Sequence, residues 1–116
     1  MSGHVLIIED EILIALELES MLADLGFVTF DLAGSPAEAL VCAEAHRPDL
    51  ITADYRIIGG TGVDAVAVIT ASIGHIPVIY ITSNTDMVAS EGPPVVEKPV
   101  GIRPLASACH QVGVAA

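Results

Sequence analysis

Residues 5–11 read Val5-Leu6-Ile7-Ile8-Glu9-Asp10-Glu11, an apolar, β-branched run that stops on three carboxylates. Four consecutive apolar side chains, with no polar residue alternating between them, describe a strand buried on both faces. The acids then fall at its C-terminal end. The same layout recurs along the chain. Asp49-Leu50-Ile51-Thr52-Ala53 leads into Asp54, Pro77 to Ile81 leads into Thr82 and Ser83, and Val95-Val96-Glu97 leads into Lys98. Phe27 to Leu32 reads as a further strand, short and rich in apolar residues.

Helical patterns lie between these strands. Ile12 to Leu25 spaces Leu13, Leu16, Leu18, Met21, Leu22 and Leu25 at helical intervals, and Gly26 stands where a left-handed cap is needed. Ser35-Pro36-Ala37-Glu38 reads as a capping box with proline at the first helical position, opening a helix that runs to about His46. Gly59-Gly60-Thr61-Gly62 reads as a flexible loop before a helix over Val63 to Ser72. Ser83 to Pro94 is mostly polar, with room for a turn or two of helix, and Arg103 to Val112 is a last helix with Pro104 in its first turn. Strand and helix alternate five times. That pattern predicts an α/β fold, doubly wound, with a parallel sheet and helices on both faces. Right-handed crossovers align the C-terminal strand ends along one edge, where ligands of such sheets bind. Glu9, Asp10, Asp54, Thr82 and Lys98 are therefore expected to share that edge.

Composition narrows the chemistry. A chain of 116 residues is read as one domain, residues 1–116, with an aliphatic core because aromatic residues are scarce. A net charge of −11 argues against nucleic acid and anionic membrane as partners. Lys98 is the one lysine, and with Arg47, Arg56 and Arg103 it faces fifteen acids. A single lysine at a strand end, before Pro99, reads as a placed charge. Three crowded carboxylates are costly without a cation, and Mg²⁺ is the hard oxygen-seeking ion expected where phosphate is handled. A hydroxyl and an ammonium beside it would then stabilise a phosphoryl group. Cys42 and Cys109 read as buried small hydrophobes, and His4, His46, His75 and His110 show no ligand spacing. No signal peptide is visible, and the uncharged stretch from Ala65 to Thr85 is cut by Gly74-His75-Ile76-Pro77. A cytoplasmic protein that does not enter the membrane is expected.

The ordered set Val5 to Glu11, Pro48 to Asp54, Gly62 eight residues on, Ile81-Thr82-Ser83 and Glu97-Lys98-Pro99 resembles the receiver domains of two-component response regulators over nearly the whole chain. The resemblance implies a flavodoxin-like five-stranded sheet in the order 2-1-3-4-5, an order known for this family. It implies Asp54 as phosphoacceptor, supplied by a sensor histidine kinase or a histidine phosphotransferase. Asp10, Asp54 and the backbone carbonyl of Arg56 would bind Mg²⁺, and Glu9 would do so through water. Thr82 and Lys98 would hold phosphoryl oxygens. The domain would be a signalling module and not an enzyme, changing a face built by the fourth helix, fifth strand and fifth helix to meet a downstream protein.

The chain also departs from the family pattern. Val95 stands where most receivers carry an aromatic residue, and Ile58 where proline is usual. The interval from Thr82 to Lys98 is short, so the fourth helix is expected to be short or degenerate. A monomer or weak dimer is then expected. Pro93-Pro94, with Pro77, Tyr80 and Thr82, resembles an alphaproteobacterial, stress-linked single-domain subset, although Ser83 and Asn84 differ from it.

Plainer readings exist for each group alone. Glu9 to Glu11 could be the acidic first turn of a helix, Asp54 a loop cap, Thr82 and Ser83 turn residues, and Lys98 a surface charge. Tyr55 and Arg56 are expected at the mouth of the site. Two other functions stay open: a receiver-like interaction module that has lost phosphorylation, and an aspartyl phosphatase. The second is disfavoured because Arg56 stands where such an enzyme needs an acid.

Overall fold

A computed structural model describes residues 3–114. Strand β1 spans His4–Ile8, β2 Thr29–Ala33, β3 Leu50–Ala53, β6 Val78–Thr82 and β7 Val95–Glu97. They form one sheet in the order β2-β1-β3-β6-β7, with every neighbouring pair parallel. Counting only these strands, the order is the expected 2-1-3-4-5. Helices α1 (Ile12–Asp24), α2 (Pro36–Ala45), α3 (Gly62–Ile73), α4 (Thr85–Val88) and α5 (Ile102–Gln111) alternate with them.

The period of two along each strand sorts the core into halves. Val5 and Ile7 face Ala15, Leu18 and Leu22 of α1 and Leu105, Ala108 and Cys109 of α5. Leu6 and Ile8 face Ala39 and Ala43 of α2, Ala65 and Ile69 of α3, and Val88 of α4. This is why residues 5–8 carry no polar alternation: both sides of β1 are covered. The stretch from Ala65 to Thr85 breaks into α3 and β6, and no helix among the described residues is long and apolar enough to cross a membrane.

Several local readings are refined. The buried stripe of α1 is Ala15, Leu18 and Leu22, while Leu13 and Leu16 are exposed. The sheet selects this register, because Ala15 lets the helix lie close to it. Helix α1 ends as Gly26 required: φ is 105° there, and Gly26 and Phe27 donate to the carbonyls of Ala23 and Leu22. At Ser35 the expected box is half formed. Its Oγ accepts from the Glu38 amide, but the Glu38 carboxylate accepts from the amide of Gly34 and not of Ser35. The reciprocal box occurs instead at α3, where Thr61 and Asp64 exchange side-chain and backbone bonds of 3.1 and 3.2 Å. The glycine-rich loop is also more ordered than read. Arg56–Ile57 (β4) pairs with Gly60–Thr61 (β5) as a small antiparallel hairpin, too short to leave a periodic signal.

Candidate functional site

Each main-sheet strand that ends on a polar residue delivers it to the same edge. Glu9 follows β1, Asp54 follows β3, Thr82 closes β6 and Lys98 follows β7. Ladder bonds continue past the strand ends and fix these residues: the Asp54 amide donates to Ile8 O at 3.0 Å, and the Lys98 amide to Thr82 O at 3.2 Å. Above them opens a cleft of about 660 Å³ lined by Asp10, Glu11, Asp54, Arg56, Ser83 and Lys98, among others.

The centre of the site is a cation shared by two acids. Lys98 Nζ donates to Glu9 Oε1 at 2.6 Å and to Asp54 Oδ2 at 2.8 Å. The side chains of Lys98, Glu9 and Asp54 are 14%, 1% and 13% exposed, so the ion pairs sit where water screens them poorly. Burial pushes the Glu9 carboxyl up, against the Lys98 ammonium and the Glu11 amide that pull it down. Burial alone would lower the Lys98 pKa, but the bonds Lys98 donates to Asp54 and then Glu9 outweigh it and hold the ammonium above its ordinary value. Lys98 is therefore a firm cation at neutral pH. Sequence reading placed it opposite an incoming anion. The structure shows that resident carboxylates already hold it.

The remaining contacts orient the acids. The Tyr55 amide donates to Asp54 Oδ1 at 2.6 Å, and the Glu11 amide to Glu9 Oε2 at 3.2 Å. Thr82 is fully buried, and its Oγ1 accepts from the Asn84 amide at 3.0 Å, which leaves its O–H available to donate. Gly62 carries a close approach that no larger residue permits. A Cβ there would stand 1.9 Å from the Asp54 carbonyl oxygen, while the Gly62 amide donates to Tyr55 O at 2.8 Å. Arg56 lines the mouth as expected, but Tyr55 does not: it is half-buried and packs against the α2–α3 side of the core.

The donors in the cleft are hard oxygens in excess of cations, which suits Mg²⁺, an ion that keeps several waters and takes one or two carboxylates. Asp10 and Asp54 both line the cleft, and Glu9 lies beneath Lys98. A tight trio of His, Cys, Asp or Glu ligands occurs elsewhere. Among the described residues it is His4, Asp31 and His46, whose ligand atoms lie within 4.8 Å of one another. Sequence reading found no ligand pattern in these histidines. His4 and Asp31 meet only through the parallel register of β1 and β2, and His46 arrives from the end of α2.

A parallel sheet in this order, with acids, hydroxyl and lysine on its C-terminal edge, defines a receiver domain. Comparison with known proteins agrees. Residues 5–106 match the family model of the response regulator receiver domain, and the chain belongs to that family of two-component signalling domains. It is 40% identical over 85 residues to the phyllosphere-induced regulator PhyR of Methylorubrum extorquens, covering 72% of this chain and 32% of that protein. The receiver domain of PhyR from Erythrobacter litoralis superposes with a TM-score of 0.83 at 31% identity, covering 96% of this chain and 89% of that one. The anti-anti-sigma factor PhyR of Bartonella quintana does so with a TM-score of 0.83 at 32% identity, covering 97% of this chain and 47% of that one. The chain thus spans about a third of the length of the PhyR regulator it matches in sequence.

Proposed function

We propose that this domain is a phosphorylation-dependent signalling receiver in which Asp54 accepts a phosphoryl group from a histidine kinase or a histidine phosphotransferase. The observation that carries the reading is the Lys98 ammonium bridging Glu9 and Asp54 at the buried centre of the acidic cleft. A carboxylate oxygen of Asp54 attacks phosphorus, the P–N bond of the donor breaks, and the departing imidazole takes a proton. Such transfers depend on positioning and on neutralising charge over the phosphoryl oxygens. The Tyr55 amide and Lys98 hold the Asp54 carboxylate in place. Asp10, Asp54 and the Arg56 carbonyl would hold Mg²⁺, with Glu9 reached through water, and the ion would supply further positive charge there. Ile12, Leu13 and Leu16 are exposed on α1, the helix whose Ile14 and Glu17 line the cleft, and offer the donor protein an apolar surface.

The switch follows from the new charge. A phosphoryl group on Asp54 offers Lys98 further acceptor oxygens and gives the free Thr82 O–H an anion to bond. Movement of Thr82 draws on Asn84, whose amide it accepts, and so on the start of the four-residue α4. The face of α4, β7 and α5 would change, biasing an existing equilibrium and presenting it to a downstream protein. The PhyR relatives, among them a solved PhyR stress response regulator, support kinship with stress-linked receivers. A phosphorylation-independent interaction module finds support only in Val95, and the complete set of Glu9, Asp10, Asp54, Thr82 and Lys98 weighs against it. Exposed Arg56, two residues past Asp54, offers no general acid for a phosphatase.

The test is incubation with acetyl phosphate or phosphoramidate and Mg²⁺, followed by intact mass. The wild type is expected to gain one phosphoryl group, and Asp54→Ala none. Equal uptake by both would overturn the assignment of the acceptor.

A further inference from the structure

The His4–Asp31–His46 trio lies at the opposite end of the sheet from the acidic cleft and takes no part in phosphoryl chemistry. His4 opens β1, and Thr29 and Asp31 lie on the neighbouring strand β2 on the side that α2 covers. His4 is 5% exposed, yet both its ring nitrogens are engaged. Nδ1 lies 2.8 Å from Thr29 Oγ1 and Nε2 lies 2.9 Å from Asp31 Oδ2. The exposed His46, at the C-cap of α2, stacks its ring on His4 with centroids 3.7 Å apart and planes within 11°. A buried histidine flanked by a carboxylate and a second imidazole is an unusual arrangement to build for packing alone. An apolar residue at position 4 would fill the space without needing partners.

We propose that His4, Asp31 and His46 bind a divalent transition-metal ion of the zinc type. Two imidazoles and one carboxylate are the donors such ions select, and water can complete a tetrahedral site. The spacing is close to what is needed. An ion with bonds of about 2 Å holds tetrahedral ligand atoms about 3.3 Å apart, so the 2.9 Å separation of His4 Nε2 and Asp31 Oδ2 must open only slightly. Thr29 supplies the supporting contact: with its hydroxyl on Nδ1, the His4 ring is held so that Nε2 points at the site. His46 must turn out of the stack, because an ion lies in the plane of each ring it binds. Its exposure on the protein surface leaves it free to do so.

The surrounding charges favour a cation. Asp49 Oδ2 accepts the His4 backbone amide at 2.8 Å and adds a second carboxylate nearby. Arg47, the adjacent base, turns its guanidinium to the carbonyls of Ile73 and His75. A bound ion would tie β1, β2 and the end of α2 together, and would stabilise the folded chain by mass action.

The experiment is calorimetric titration of Zn²⁺, with millimolar Mg²⁺ present to keep the phosphoryl cleft occupied, into the wild type, His46→Ala, Asp31→Asn and Asp54→Ala, with the histidine ring protons followed by NMR. One ion per wild-type chain is expected, shifting the His4 and His46 ring signals and raising the melting temperature. His46→Ala and Asp31→Asn alter accessible side chains and should fold, but bind at least about tenfold more weakly. Asp54→Ala alters only the phosphoryl cleft and should keep the ion held by His4 and His46, with the same shifts of their ring signals. Absence of binding, equal binding by His46→Ala, or loss of binding only in Asp54→Ala would overturn the proposal. The last result would place the ion in the phosphoryl cleft instead.

Discussion

Lys98→Ala is expected to lower the unfolding free energy by about 3 kcal/mol or more, because it leaves two poorly hydrated carboxylates facing each other without their cation. The loss should show in urea unfolding at neutral pH, and millimolar Mg²⁺ should restore part of it, since Asp10 and Asp54 remain. Glu9→Gln is expected to do far less harm. Burial already pushes the Glu9 carboxyl up, so removing its charge relieves desolvation while Asp54 still holds Lys98. The pH dependence has a defined sign. Because the folded-state pKa of Lys98 is raised, its contribution is fully present below the unfolded value and is lost as pH rises through the folded one. The functional consequence is separable from stability. Lys98→Ala should keep Mg²⁺ binding yet lose the phosphorylation-induced NMR shifts around Thr82 and Asn84. Unchanged shifts there would remove Lys98 from the switch.

Gly62→Ala is expected to cost about 3 kcal/mol or more, with slowed phosphoryl uptake by whatever protein still folds. The reason is space and not backbone torsion: the added methyl would stand 1.9 Å from the Asp54 carbonyl oxygen, a backbone atom that cannot turn aside. Relief requires moving either the start of α3 or the turn that carries Asp54. Gly59→Ala, in the β4–β5 turn where nothing lies within 4 Å of an added Cβ, is strained only by its φ of 79°. It should cost about 1 kcal/mol. Similar losses for the two variants by thermal or urea unfolding would contradict the packing argument.

The site was legible because of where the polar residues fall. Glu9, Asp54, Thr82 and Lys98 each interrupt or end an apolar run, and a parallel sheet gathers such positions on one edge. Strand order came from family resemblance, since periodicity cannot rank five buried strands. The spacing of α1 did not choose its buried face, because an apolar helix offers several stripes, and only packing against the sheet selects Ala15, Leu18 and Leu22. Tyr55 was placed at the mouth because it follows Asp54. The small hairpin after it turns the chain so that Tyr55 packs inward and Arg56 outward. The His4 cluster was invisible for a different reason. Its members approach through strand register and a helix end, and neither leaves a spacing in the sequence.

The shortened fourth segment bears on signalling. Helix α4 is one turn, Thr85–Val88, and buries Val88 while leaving Met87 exposed. With so little helix to displace, the response to phosphorylation should concentrate in the backbone from Thr82 to Asn84 and in β7, where Val95 replaces the usual aromatic residue.

One measurement reaches the central claim most directly. Protein treated with phosphoramidate and Mg²⁺ is reduced with borohydride, which converts an acyl phosphate to an alcohol, and is then mapped by peptide mass spectrometry. Conversion confined to Asp54 is the result this geometry predicts. Conversion at Glu9 or Asp10, or at no carboxylate while phosphate is taken up elsewhere, would contradict it.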